Sequence, residues 1–145
     1  MSLDSIMNIM GGPKNIGRDI HTRLDFIKAS REGAVSIAVV KSIQNKIHLT
    51  NKMMSSILEI SESTLQRHIK EDRKLKKAES ETAYEVSKVI AKGIEVFEDE
   101  NDFNEWLYTK NTALGEERPI DWLDSSIGRE QLLDLLVSIE HGMYS

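Results

Sequence analysis

The sequence predicts an all-α protein, and three observations carry that prediction. Only 6% of its 145 residues are aromatic and only two are proline, a composition that leans toward helices rather than a sheet sandwich. Apolar residues recur at i, i+3, i+4 and i+7 in the segments able to be buried, which is the spacing of one helix face. Serine or threonine often stands just before such a segment, where its hydroxyl accepts from the free N–H groups of a new helix. The length suits one compact domain, or two small ones sharing a core.

Residues 1–30 are weakly patterned. "MGGP" at Met10–Pro13 breaks whatever precedes it, by glycine freedom and a missing proline N–H. Ile16, Ile20, Leu24 and Ile27 follow at helical spacing, so residues 1–33 read as an N-terminal arm with a short helix. Gly33 separates this arm from a central helix over about Ala34–Ile47, whose Val35, Ile37, Ala38, Val40, Ile43 and Ile47 cover a wide face.

"HLTNKMMSSILEISESTLQRHIKE" reads as two short helices and a tight turn, the spacing of a helix-turn-helix. Thr50 caps the first, which points Met53 or Met54, Ile57 and Leu58 inward. Ser61 caps the second, which buries Leu65 and Ile69. Glu59 stands in the turn where glycine in a left-handed conformation is usual, at a cost of roughly 1 kcal/mol for another residue. The basic run "KEDRKLKKAES" reads as a connection ending at Ser80, the expected cap of the longest helix, about Ser80–Glu98.

That helix aligns Val86, Val89, Ile90, Gly93, Ile94 and Phe97 on one face. A short helix over Asp102–Tyr108 then offers Phe103, Trp106 and Leu107, "TALGEERP" is a loop, and "PIDWL" begins a helical turn with proline in an allowed first position. Ser125 or Ser126 caps a final helix to about His141, where Gly142 ends it. The division is therefore 1–33, the arm; 34–78, the helix-turn-helix region; and 79–145, a second helical region.

Charge divides the chain in the same way. Residues 1–80 hold 14 Lys/Arg against 9 Asp/Glu, and residues 81–145 hold 5 against 15. Halves of +5 and −10 fit an anionic partner for the first and a basic one for the second; chance drift in solvated faces is the plainer account.

A second helix placed in a major groove would offer Ser61, Ser63, Thr64, Gln66, Arg67 and Lys70 to DNA, with Arg73 and Lys74 of the basic run reaching the backbone. Glutamine can pair doubly with adenine and arginine with guanine, so Gln66 and Arg67 are the expected base readers. His68, Lys76 and Lys77 add charge for salt-dependent affinity. An ordinary helical hairpin with a solvated basic face gives the same pattern.

Other functions find no support. The chain has no cysteine, its four histidines are scattered without metal-ligand spacing, and it has neither a phosphate loop nor a nucleophile elbow. Metal, cofactor and enzyme activity are therefore not expected. No apolar run approaches a membrane span and no signal-peptide core opens the chain, so a cytoplasmic location without membrane is expected.

In the last segment, Leu132, Leu135, Leu136 and Ile139 form a stripe best assigned to packing, while Arg118, Trp122, Arg129, His141, Tyr144 and Ser145 are the better contact candidates. "VFEDENDFNEWL", "NTALGEERPIDWL" and "IEHGMYS" resemble, in order and spacing, the Xre/MbcA/ParS antitoxins of RES-type toxin–antitoxin systems. One departure is Glu116, where the family usually has a second glycine.

The resemblance implies an Xre/Cro-like helix-turn-helix followed by a helical toxin-binding and dimerisation domain. It also implies a non-enzymatic antitoxin that blocks the active site of an NAD-degrading RES-domain toxin, forms a homodimer within the complex, and binds operator DNA to autoregulate its operon. The toxin-binding role would fall on Asn111, Leu114, Gly115, Arg118, Pro119 and Trp122, and on Glu140, His141, Gly142, Met143, Tyr144 and Ser145. The carboxylates of Glu140 and of the chain end are expected to mimic substrate phosphate. The alternatives are a stand-alone helix-turn-helix repressor, and an adaptor that has lost DNA binding.

Overall fold

A computed structural model describes residues 1–142, and these form nine α-helices. They are α1 (Leu3–Ile9), α2 (Pro13–Ile16), α3 (Arg23–Arg31), α4 (Ala38–Ile47), α5 (Asn51–Leu58), α6 (Glu62–Lys70), α7 (Lys77–Phe97), α8 (Glu100–Leu107) and α9 (Ser126–Glu140). Two 3-10 turns, Thr112–Leu114 and Pro119–Trp122, lie between α8 and α9. The 21-residue α7 is the axis, packed against α1, α3, α4, α5, α8 and α9. Its Val86, Val89 and Ile90 have no exposed surface, as the sequence pattern required, whereas Ile94 and Phe97 of the same predicted face are only half-buried.

The N-terminal residues are better ordered than their pattern suggested. Ser2 caps α1 through a reciprocal pair with Ser5, and Ile6, Met7, Ile9 and Met10 are buried. The surface they cover belongs to α1's neighbours α7 and α4, far away in sequence.

The central helix begins later than expected, at Ala38 rather than Ala34. Val35 is buried, but its carbonyl accepts from Leu75 N–H at 2.8 Å, while Ile37 N–H donates to Arg73 O at 3.1 Å. Ser36 Oγ then accepts from Ala38 N–H and starts α4. The basic run after α6 is thus held by backbone bonds, with Leu75 buried beneath it. The longest helix starts earlier than expected because Glu79 reaches back to Lys76 N–H at 2.9 Å; Ser80 is buried inside the first turns and caps nothing.

The helix-turn-helix forms as read. Thr50 Oγ1 accepts from Met53 N–H and Ser61 Oγ from Thr64 N–H, each at 3.1 Å. Glu59 adopts the left-handed conformation, φ 59 and ψ 40, and Ile60 N–H closes the turn on Ser55 O. The missing glycine therefore leaves the turn undistorted. Glu116 takes φ 68 in the same way at the family's second glycine position. Glu59→Gly should stabilise the protein by about 0.5–1 kcal/mol, since exposed Glu59 enters no ion pair among the described residues that would offset the Cβ strain. A thermal melt checks this; an unchanged or lower midpoint would show the strain to be absent.

Candidate functional site

On the first surface, α6 is anchored by Leu65, which is fully buried, and by Ile69, which is only half-buried. Ser63, Gln66, Arg67 and Lys70 are exposed along the opposite face. Ser61 and Thr64 are placed differently. Their hydroxyls lie 2.7 Å apart and Ser61 also holds the cap, so both build the start of the helix more than they offer themselves outward.

Beyond α6, Arg73 and Lys74 are exposed on the extended segment paired with residues 35–37. Arg73 Nε donates to Glu71 Oε1 at 2.6 Å and so is partly neutralised. Arg67, Lys70, Lys74 and Lys76 take part in no ion pair among the described residues. The run is a fixed row of cations beside a fixed helix.

The second surface is built around the segment from Asn111 to Trp122. Asn111 Oδ1 accepts from Ala113 N–H at 2.8 Å, and Asn111 N–H donates to Glu117 O at 2.9 Å, which closes the loop on itself. Gly115 takes φ 65 at its tip, in the open. Arg118 forks onto Asp121 with two contacts of 3.1 Å and lies 5.8 Å from the centre of the Tyr108 ring. Trp122, half-buried, donates its indole N–H to Glu117 at 3.1 Å.

Three expected contact residues are internal. Leu114 and Pro119 are buried and Asn111 is 9% exposed, so their role is to shape the segment that carries Gly115, Arg118 and Trp122. Arg129 is internal too, at 6%: its guanidinium donates to Glu85 at 3.0 Å and to Leu123 O at 2.7 Å, a structural post. Leu132, Leu135 and Leu136 pack inward as read.

Glu140 is also engaged: its carboxylate accepts from Lys92 at 2.7 Å and ties α9 to α7, an arrangement that raises the Lys92 pKa. A free phosphate mimic at Glu140 is therefore not what the structure presents. His141 and Gly142 are exposed past the end of α9. Met143, Tyr144 and Ser145 lie outside the described residues.

Residues that sequence reasoning passed over join the two surfaces. Tyr108 O–H donates to Ile47 O at 2.7 Å, and Asn104 donates to Lys46 O at 3.0 Å, so α8 supplies donors to the otherwise unsatisfied C-terminal carbonyls of α4. Burial raises the Tyr108 pKa, keeping the phenol a donor. Buried Ile120 sits beside Leu49, Met53 and Ile57, around a cavity of about 100 Å³ between the Arg118–Trp122 turn and the first helix of the helix-turn-helix. An aromatic group of Phe97, Phe103 and Trp106 packs where α8 meets α7. No described helix is long and apolar enough to cross a membrane.

Comparison with known proteins gives two family matches. Residues 25–87 match the antitoxin Xre-like helix-turn-helix domain, and residues 92–142 match the antitoxin Xre/MbcA/ParS C-terminal toxin-binding domain. No curated protein matches the chain. Among solved structures, a chain of the crystal structure of the M. tuberculosis MbcT-MbcA toxin-antitoxin complex is similar in fold. It has 16% sequence identity and a TM-score of 0.55, over 75% of this chain and 96% of that one.

Proposed function

We propose that this chain, which belongs to the Xre/MbcA/ParS antitoxins, neutralises an NAD-degrading RES-domain toxin by covering its active site with the C-terminal segment. The observation that carries this reading is the match of residues 92–142 to a toxin-binding domain. Those residues contain the turn bearing Gly115, Arg118 and Trp122, and the exposed end of α9 at His141 and Gly142. The similarly folded M. tuberculosis chain comes from a toxin–antitoxin complex, which supports a toxin as partner.

The activity is one of binding, without catalysis. Residues 79–145 hold the toxin and join two copies in a homodimer, while residues 34–78 bind operator DNA and repress the operon. The two opposite charges support this division: +5 over residues 1–80 meets phosphate, and −10 over residues 81–145 meets a cationic nucleotide pocket. The protein acts in the cytoplasm, where both partners would be found.

The test is a co-expression experiment. Deleting Met143–Ser145 should restore killing by the cognate toxin, and a melting curve taken alongside checks that the shortened chain is folded. Full protection by the shortened chain would remove the occlusion mechanism. Co-purification with the toxin, retained or lost, then separates a plug from a simple anchor.

A further inference from the structure

Glu62 is the first residue of α6. It is exposed, the cap of the helix is made by Ser61 instead, and among the described residues Glu62 enters no ion pair. At about 100° per residue it stands at one edge of an arc roughly 140° wide that also holds Gln66, Lys70, Ser63 and Arg67, about 60° from the buried Leu65. The residues that open a recognition helix are those that reach base edges in the major groove.

We propose that Glu62 is a base-selecting residue that reads cytosine. This rests on the DNA-binding reading above. An ionised carboxylate only accepts hydrogen bonds, so it needs a donor on the DNA. In the major groove guanine presents only acceptors and thymine one acceptor and a methyl group; adenine has an amino donor but sets the N7 acceptor beside it, which repels a carboxylate, so cytosine with its lone amino donor is the matching base. The same negative charge is repelled by phosphate, so Glu62 lowers general affinity and acts by choosing the base. A row of donors and cations needs such an element: Arg67 and Lys70 attract any duplex, and the carboxylate penalises the wrong one. The plainer role for an acidic residue in a first helical turn is to face the positive end of the helix dipole. That role has no consequence for sequence preference.

In vitro selection from a randomised duplex pool separates the two, using the full chain and the variants Glu62→Gln and Glu62→Ala. The wild-type chain should select cytosine at one position, by roughly 5- to 150-fold over the wrong base. Glu62→Gln should change that position to adenine, which glutamine recognises through two bonds, and leave the rest of the site unaltered. Glu62→Ala should lose preference at that position alone. A selected sequence identical in all three proteins would overturn the assignment and leave the dipole role. A wild-type chain that selects nothing would instead remove the DNA-binding reading, and this inference with it.

Discussion

Alanine at Gly93 is expected to destabilise the protein by about 2 kcal/mol, although intrinsic preference alone argues for the opposite sign. Within a helix, alanine is favoured over glycine by about 1 kcal/mol. A Cβ at Gly93 would, however, lie 2.0 Å from Phe103 Cε1 and 2.3 Å from Cζ, far inside the normal contact distance. The ring has nowhere to go: Phe103 is fully buried, with Phe97 and Trp106 around it. Overpacking of this kind costs up to about 3 kcal/mol, which exceeds the gain in preference. Urea denaturation should show a lower midpoint at unchanged slope. Phe103→Leu in the Gly93→Ala background should recover part of the loss, since the two sites share one clash. A midpoint that rises for the single variant would mean that α8 approaches α7 less closely than described.

The sequence revealed that Gly93 lies on the inner face of α7, but not why it is glycine. Periodicity reports which side of a helix is buried and is blind to how near the neighbour comes. The same blindness explains the other displacements. Val35 and Ile37 fit a helical stripe, yet backbone bonds to residues 73–75 draw them out of it. In α1, Ile6, Met7, Ile9 and Met10 fall in a stretch that reads as weakly patterned, because the helices they cover, α7 and α4, lie far away in sequence. Where the signal is local, sequence reading succeeded. Thr50, Ser61 and Ser125 cap the helices they precede, and α9 buries the leucines its spacing selected.

The two candidate surfaces were legible to a similar degree. The α6 face with Ser63, Gln66, Arg67 and Lys70 follows from helical spacing once Leu65 is known to be inside. The segment from Asn111 to Trp122 was found only as a stretch of chain. Within it, residue type does not distinguish an interface arginine from Arg129, which satisfies Leu123 O in the interior, or an exposed leucine from Leu114. Tyr108 and Asn104 were invisible as links, since their partners are the backbone carbonyls of α4, which carry no side-chain signature.

Backbone pinning of the basic run gives the second large effect. A loose lysine-rich tether would lose ordering entropy on meeting DNA, whereas this one is already fixed by the bonds to Val35 and Ile37. Of its cations, Arg73 is partly neutralised by Glu71 and Lys77 by Glu81, which leaves Lys70, Lys74 and Lys76 as the charges fully available to phosphate. The triple variant Lys70→Ala, Lys74→Ala, Lys76→Ala should reduce the slope of log affinity against log salt by about 2.7, at about 0.9 per phosphate contact. If counterion release is the whole of their contribution, binding at 0.15 M salt falls on the order of a hundred-fold, for cognate and random duplex alike. Arg67→Ala should behave differently, weakening the cognate site much more than random DNA, because a lost base contact removes discrimination. A gel-shift titration at several salt concentrations reads both quantities. An unchanged slope in the triple variant would identify the row as solvated surface, and the backbone bonds at residues 73–75 would then serve only to bury Leu75.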